Sequence, residues 1–88
     1  MFKVRWALSA RNELAQTWIA ADSAMRQAIT AASNQIDQSL QWNPQSQGES
    51  RGGRDRIWFV FPLAIRFEII EEKKVVRVLH VWSYVRRP

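Results

Sequence analysis

The residues of this chain with the clearest chemical potential are its arginines. Ten of the thirteen basic side chains are Arg, and the formal net charge is +5. A guanidinium is planar, permanently charged and suited to bidentate contact with phosphate or carboxylate, so the balance points to an anionic partner. The plainer reading is that such residues merely solvate a small basic domain. Residues 49–88 hold nine basic and five acidic side chains, against four and three in residues 1–48, which places any such docking on the C-terminal half. The run SRGGR at residues 50–54 could present backbone amides and the guanidiniums of Arg51 and Arg54 to a phosphate. It lacks the Gly-Lys-Ser/Thr ending of a nucleotide P-loop, and a linker of solvated charge is the competing reading. His80 is the single His, and a lone His on a strand is more often structural than catalytic. With no HExxH, CxxC, Gly-rich nucleotide fingerprint or carboxylate cluster, a metal hydrolase or nucleotide enzyme has no support, and no metal or cofactor is expected.

The framework that must position these groups is small. Eighty-eight residues imply one domain, 1–88, burying only roughly 60% of its unfolded surface around one core. The absence of Cys excludes disulfides and thiolate metal sites and suits a reducing cytoplasm. The longest apolar runs, near residues 57–65, fall far short of the ~20 residues of a membrane span, and no signal-peptide pattern opens the chain. A soluble, cytoplasmic protein is expected.

Phe2, Val4 and Trp6 alternate with Lys3 and Arg5, the period-two pattern of a strand. Ser9 offers an N-cap for a first helix over residues 10–20, with Ala7, Ala10, Leu14, Trp18 and Ala21 as its apolar stripe. Asp22 and Ser23 cap a second helix of about four to five turns, whose stripe Met25, Ile29, Ala32, Ile36 and Leu40 has the spacing of a sheet cover. Asn43-Pro44 ends it, because Pro lacks an amide hydrogen and pushes its predecessor out of the helical region. Residues 43–55 then read as one long polar loop.

Residues 56–85 are the organising element, three β-type runs broken by Pro62 and by the tetrad Glu71-Glu72-Lys73-Lys74. A symmetric turn at the tetrad pairs Ile70 with Val75, Glu68 with Arg77, Arg66 with Leu79 and Ala64 with Val81. The other face then pairs Ile69 with Val76, Phe67 with Val78, Ile65 with His80 and Leu63 with Trp82. This register opposes charges of opposite sign and gathers the aliphatic side chains under the helices. Arg66 is left on an open face. The direction of Trp58 stays open, since both faces of its strand are apolar. The expected fold class is α+β, in the order β-α-α-β-β-β, an antiparallel sheet covered on one face by a helical hairpin. Trp58, Phe59, Phe61, Trp82 and Tyr84 are more aromatic surface than one face can hide, so a homodimer, or capture of a partner helix or strand, is expected there.

This order of elements, with Trp42-Asn43-Pro44 closing the hairpin and the segment PLAIRFEIIEEKKVVRVLHV, resembles the RelE/ParE superfamily of toxins from bacterial toxin-antitoxin modules, which includes plasmid-stabilisation systems. The resemblance implies a toxin-like component neutralised by an antitoxin protein. Its target would be RNA in the ribosome, through metal-free messenger-RNA cleavage, or DNA gyrase; a non-catalytic interaction module is the third alternative. Nucleolytic members activate a ribose 2′-hydroxyl with basic residues and, in some, a Tyr, Glu or His. The central family arginine aligns with Ala64 here, with Arg66 as the nearest guanidinium. The C-terminal position falls at Tyr84. The resemblance thus implies Arg66 and Tyr84 as catalytic residues and Arg51, Arg54, Arg56, Arg86 and Arg87 as nucleic-acid contacts.

Overall fold

A computed structural model of the chain describes residues 1–84; Arg86 and Arg87 lie outside the described residues. The fold is built on α2, Ser23–Trp42, whose start is fixed by Asp22 as expected: its carboxylate accepts the Met25 amide at 2.8 Å. This satisfies one of the orphan donors of the first turn. Ile29, Ala32, Ile36 and Leu40 of the helix are buried against the sheet, while Pro44 opens a single 3-10 turn beyond its end. Among the described residues no helix is long and apolar enough to cross a membrane.

Among the described residues the sheet has five strands in the order β1-β5-β4-β3-β2, with β1 at Lys3–Trp6, β2 at Glu49–Ser50, β3 at Asp55–Val60, β4 at Leu63–Ile70 and β5 at Val75–Ser83. It is mixed rather than wholly antiparallel, because β1 pairs with β5 in parallel, Lys3 opposite Val75 and Trp6 opposite Val78. Parallel neighbours require a long crossover, and here the two helices supply part of it. The polar loop also differs from expectation, since β2 adds a short fifth strand on β3. Arg56 fastens that loop, donating from Nε to the Gln47 carbonyl at 2.7 Å and from a terminal nitrogen to the Gly48 carbonyl at 3.0 Å. Gly48 itself lies so close to β3 that a Cβ there would sit 2.4 Å from the Ile57 carbonyl oxygen, at a backbone φ of +66°. Both facts demand glycine.

The β4–β5 hairpin follows the expected register from Ile70/Val75 to Phe67/Val78 and then departs from it. Arg66 pairs with His80, not Leu79, so β5 carries one extra residue, Leu79, at a β-bulge. Everything beyond the bulge changes face. Val81, expected on the open face, is buried in the core, whereas His80 and Trp82, expected under the helices, lie on the open face. The exchange is favourable, since it buries an aliphatic side chain and leaves the imidazole in water. Trp58 pairs with Ile65, so it faces the helices and packs at the margin of the core.

The first helix, α1 at Leu8–Ile19, begins earlier than its Ser9 suggested. Ala7 is the N-cap and makes no side-chain cap bond. The Ser9 hydroxyl instead donates to the carbonyl of Leu79 at 2.9 Å, across to the sheet. Glu13, one turn on, accepts the Val81 amide at 3.0 Å. The N-terminus of α1 thus takes over the edge of β5 where β1 stops, and two side chains satisfy backbone groups that would otherwise form a bare edge.

Candidate functional site

The face of the sheet away from α2 presents two regions side by side. The first is a charged strip. In β3–β4, Asp55 pairs with Glu68 and Ile57 with Arg66, which sets the Asp55 carboxylate diagonally next to the Arg66 guanidinium. Arg66 donates from Nε to Asp55 Oδ2 at 3.0 Å, and its terminal nitrogen reaches the same oxygen. On the neighbouring rung Arg77 donates to Glu68 at 3.0 Å, as the hairpin register requires. Arg5 of β1 lies opposite Arg77 and extends the strip to the sheet edge. His80 stands directly across from Arg66, with Nδ1 at 3.3 Å from the Glu13 carboxylate.

The second region is aromatic. Ala64 is fully buried on this face, between Phe59 on one neighbouring strand and Trp82 on the other. Tyr84, whose amide donates to the Pro62 carbonyl at 3.0 Å, meets Phe59 edge-on at a centroid distance of 5.1 Å and Phe61 at 6.1 Å. These are the separations at which edge-to-face pairs attract. Even so, Phe59 is 53% exposed, Phe61 58% and Trp82 39%. The cluster forms an apolar end to an otherwise polar face.

No family sequence model matches the chain, and no curated protein matches it in sequence. Solved structures do match it in shape. The RelBE2 toxin-antitoxin complex of Mycobacterium tuberculosis superposes with a TM-score of 0.77 at 16% identity, covering 97% of this chain and 93% of that one. The chromosomal ParDE toxin-antitoxin system of P. aeruginosa gives 0.74 at 16%, with coverages of 97% and 98%. The isolated RelE toxin of E. coli gives 0.67 at 18%, with 99% and 88%. The fold is that of the RelE and ParE toxins. At this level of identity the likeness is one of architecture, spanning nearly the whole of each chain.

Within the RelE/ParE fold, the residues singled out in the sequence fall in separate places. Arg66 and Tyr84 share the open face: Tyr84 lies opposite Pro62, four residues from Arg66, or about 13 Å between backbone positions along the strand at the usual rise. Arg54 is held by Glu72 in a bidentate pair at 2.8 and 2.9 Å, and Arg51 lies 3.8 Å from Glu49. Arg56 is bound to loop carbonyls away from the charged strip. Two groups that meet at this face were not singled out in the sequence, Asp55 and Glu13, and His80, expected under the helices, turns outward to join them. Asp55 could have been found by placing a two-residue turn at Phe61-Pro62, which aligns Val60 with Leu63 and Asp55 with Glu68. Glu13 had no such signal, because its partner is a backbone amide 68 positions away.

Proposed function

We propose that the protein is the toxin-type partner of a toxin-antitoxin pair, and that it acts on a protein target through the open sheet face, in the manner of a gyrase poison, rather than by cutting RNA. One observation carries this reading. The guanidinium best placed for phosphate chemistry, Arg66, is engaged by Asp55 and stands about 13 Å along the strand from Tyr84, while its neighbour Arg77 is engaged by Glu68. Cations already paired with carboxylates, as Arg66 and Arg77 are, attract a polyanion weakly, and such polar pairs beside an apolar aromatic cluster are the makings of a protein interface. The architectural neighbours include toxins solved with their antitoxins. With a sequence pI near 10.8, an acidic antitoxin is the natural counterpart, and cytoplasmic action fits both.

A second reading, metal-free cleavage of ribosome-bound messenger RNA, has one observation in its favour. His80 faces Arg66 and carries Glu13 on Nδ1, so a proton acceptor and a cation share one spot. Induced expression separates the two. Protein-directed action predicts growth arrest with loss of supercoiling homeostasis and intact messages, suppressed by Trp82→Ser together with Phe61→Ser. Cleavage of translated messages that disappears in Arg66→Ala would overturn it in favour of the second reading. Harmless overexpression would overturn both.

A further inference from the structure

The chain has three lysines, and the fold brings all of them to one tip. Lys3 opens β1, while Lys73 and Lys74 lie in and just after the 3-10 turn Glu71–Lys73 that joins β4 to β5. The parallel pairing of β1 with β5 unites the two places, since the Lys3 amide donates to the Lys74 carbonyl at 2.9 Å. The end of α2 arrives at the same point. The Phe2 amide donates to the Gln41 carbonyl at 2.8 Å, and the Gln45 carboxamide, just past the helix, donates to Glu71.

All three lysines are exposed. Two acids share the turn, and each is engaged by another group: Glu72 by Arg54 in the bidentate pair, Glu71 by Gln45. No lysine takes part in the ion pairs of the described residues, and the Lys74 ammonium lies 4.8 Å from the Phe2 ring centre. The tip is therefore net positive. Beside the lysines stand two large apolar side chains, Trp42 at the last position of α2, 66% exposed, and Met1, 77% exposed. This is a projecting end of the molecule, for the surface hollows lie over α1, along the first half of α2 and beside β3.

The chemistry of the tip selects its partner. Lys is a compact charge on a flexible stem, without the planar fork that matches a fixed carboxylate, so it suits a mobile layer of anionic groups. Trp and Lys together are the side chains that settle at a membrane boundary, the indole at headgroup level and the ammonium among the phosphates. We infer that this tip docks the protein peripherally on an anionic lipid surface, with Trp42 and Met1 entering the headgroup layer and Lys3, Lys73 and Lys74 meeting lipid phosphates. Such docking needs no membrane-spanning segment. It is also independent of how the sheet face acts, because the aromatic cluster lies at the other end of β4, about 23 Å away at the usual rise.

The test uses the full chain and vesicles of phosphatidylcholine, alone or mixed with phosphatidylglycerol, read by co-sedimentation. The wild-type chain should sediment with the mixed vesicles and stay in solution with the neutral ones, and added salt should weaken the binding. Lys3→Gln, Lys73→Gln and Lys74→Gln together should weaken it by at least about tenfold. Brominated lipid should quench tryptophan fluorescence of the wild-type chain, and Trp42→Ser should remove most of that quenching. All four positions are exposed, so the circular dichroism spectrum should not change. Arg66→Gln with Arg77→Gln, which strips charge from the sheet face, should change the binding little. Absence of binding to the mixed vesicles, equal loss per charge in the arginine and lysine variants, or quenching that survives Trp42→Ser would each overturn the inference. So would lysine-dependent capture of a single-stranded RNA oligonucleotide without vesicle binding, which assigns the tip to nucleic acid.

Discussion

The two halves of β5 are held by different means. From Val75 to Val78 the strand lies between two others, β1 on one side and β4 on the other, and its register is the one its hydrophobic alternation dictates. Beyond the bulge at Leu79 it has β4 on one side only, and its other edge is sealed by α1, through Ser9 on the Leu79 carbonyl and Glu13 on the Val81 amide. The first half is sealed by backbone, which any sequence provides, and the second by two particular side chains. The half that depends on particular side chains is also the half that brings His80, Trp82 and Tyr84 to the open face. Variation in α1 can therefore reach the face without touching it.

The comparison can be broken from the largest effect down. In the regular half, Phe67 is fully buried opposite Val78, so Phe67→Ala should lower the unfolding free energy in denaturant by about 3–5 kcal/mol. A smaller loss there would mean that the paired half is not the stable frame. Glu13→Ala strips the partner from a partly buried amide and should cost about 1–3 kcal/mol, with faster hydrogen exchange at Val81 and little change at Val76. Glu13→Gln keeps an acceptor and should recover most of that loss. Equal exchange at both positions in Glu13→Ala would remove the distinction between the halves. Smallest is Arg77→Ala, where an exposed cross-strand pair is lost and the change should stay within about 1 kcal/mol, shrinking further in high salt.

Legibility in the sequence followed the same division. The stripe of α2 was readable because its apolar spacings repeat and the pair Asp22-Ser23 offers a cap. The hairpin was readable as far as Phe67/Val78, because period-two alternation on both strands admits one register. The bulge was not readable, for Leu79 is an ordinary strand residue and neither Gly nor Pro marks the irregularity. The contact that meets it comes from α1, whose Ser9 resembled a helix cap and instead donates to the Leu79 carbonyl. The parallel placement of β1 was hidden for a related reason, since alternation reveals a strand but not its neighbour. Of the candidate site, Arg66 was legible as an outward-facing guanidinium. Its engagement by Asp55 was not, because that depends on which strand lies alongside and where its turn falls.

The pairing of Lys3–Trp6 with Val75–Val78 joins stretches about 70 positions apart in the chain. During synthesis the first strand and both helices leave the ribosome long before the strand they must join, and contacts of such separation form late. The edge contacts of Ser9 and Glu13 wait for the same event. Neither the sheet face nor its sealed edge exists until β5 has joined β1, so a cell making this protein meets the finished surface later than it meets either helix.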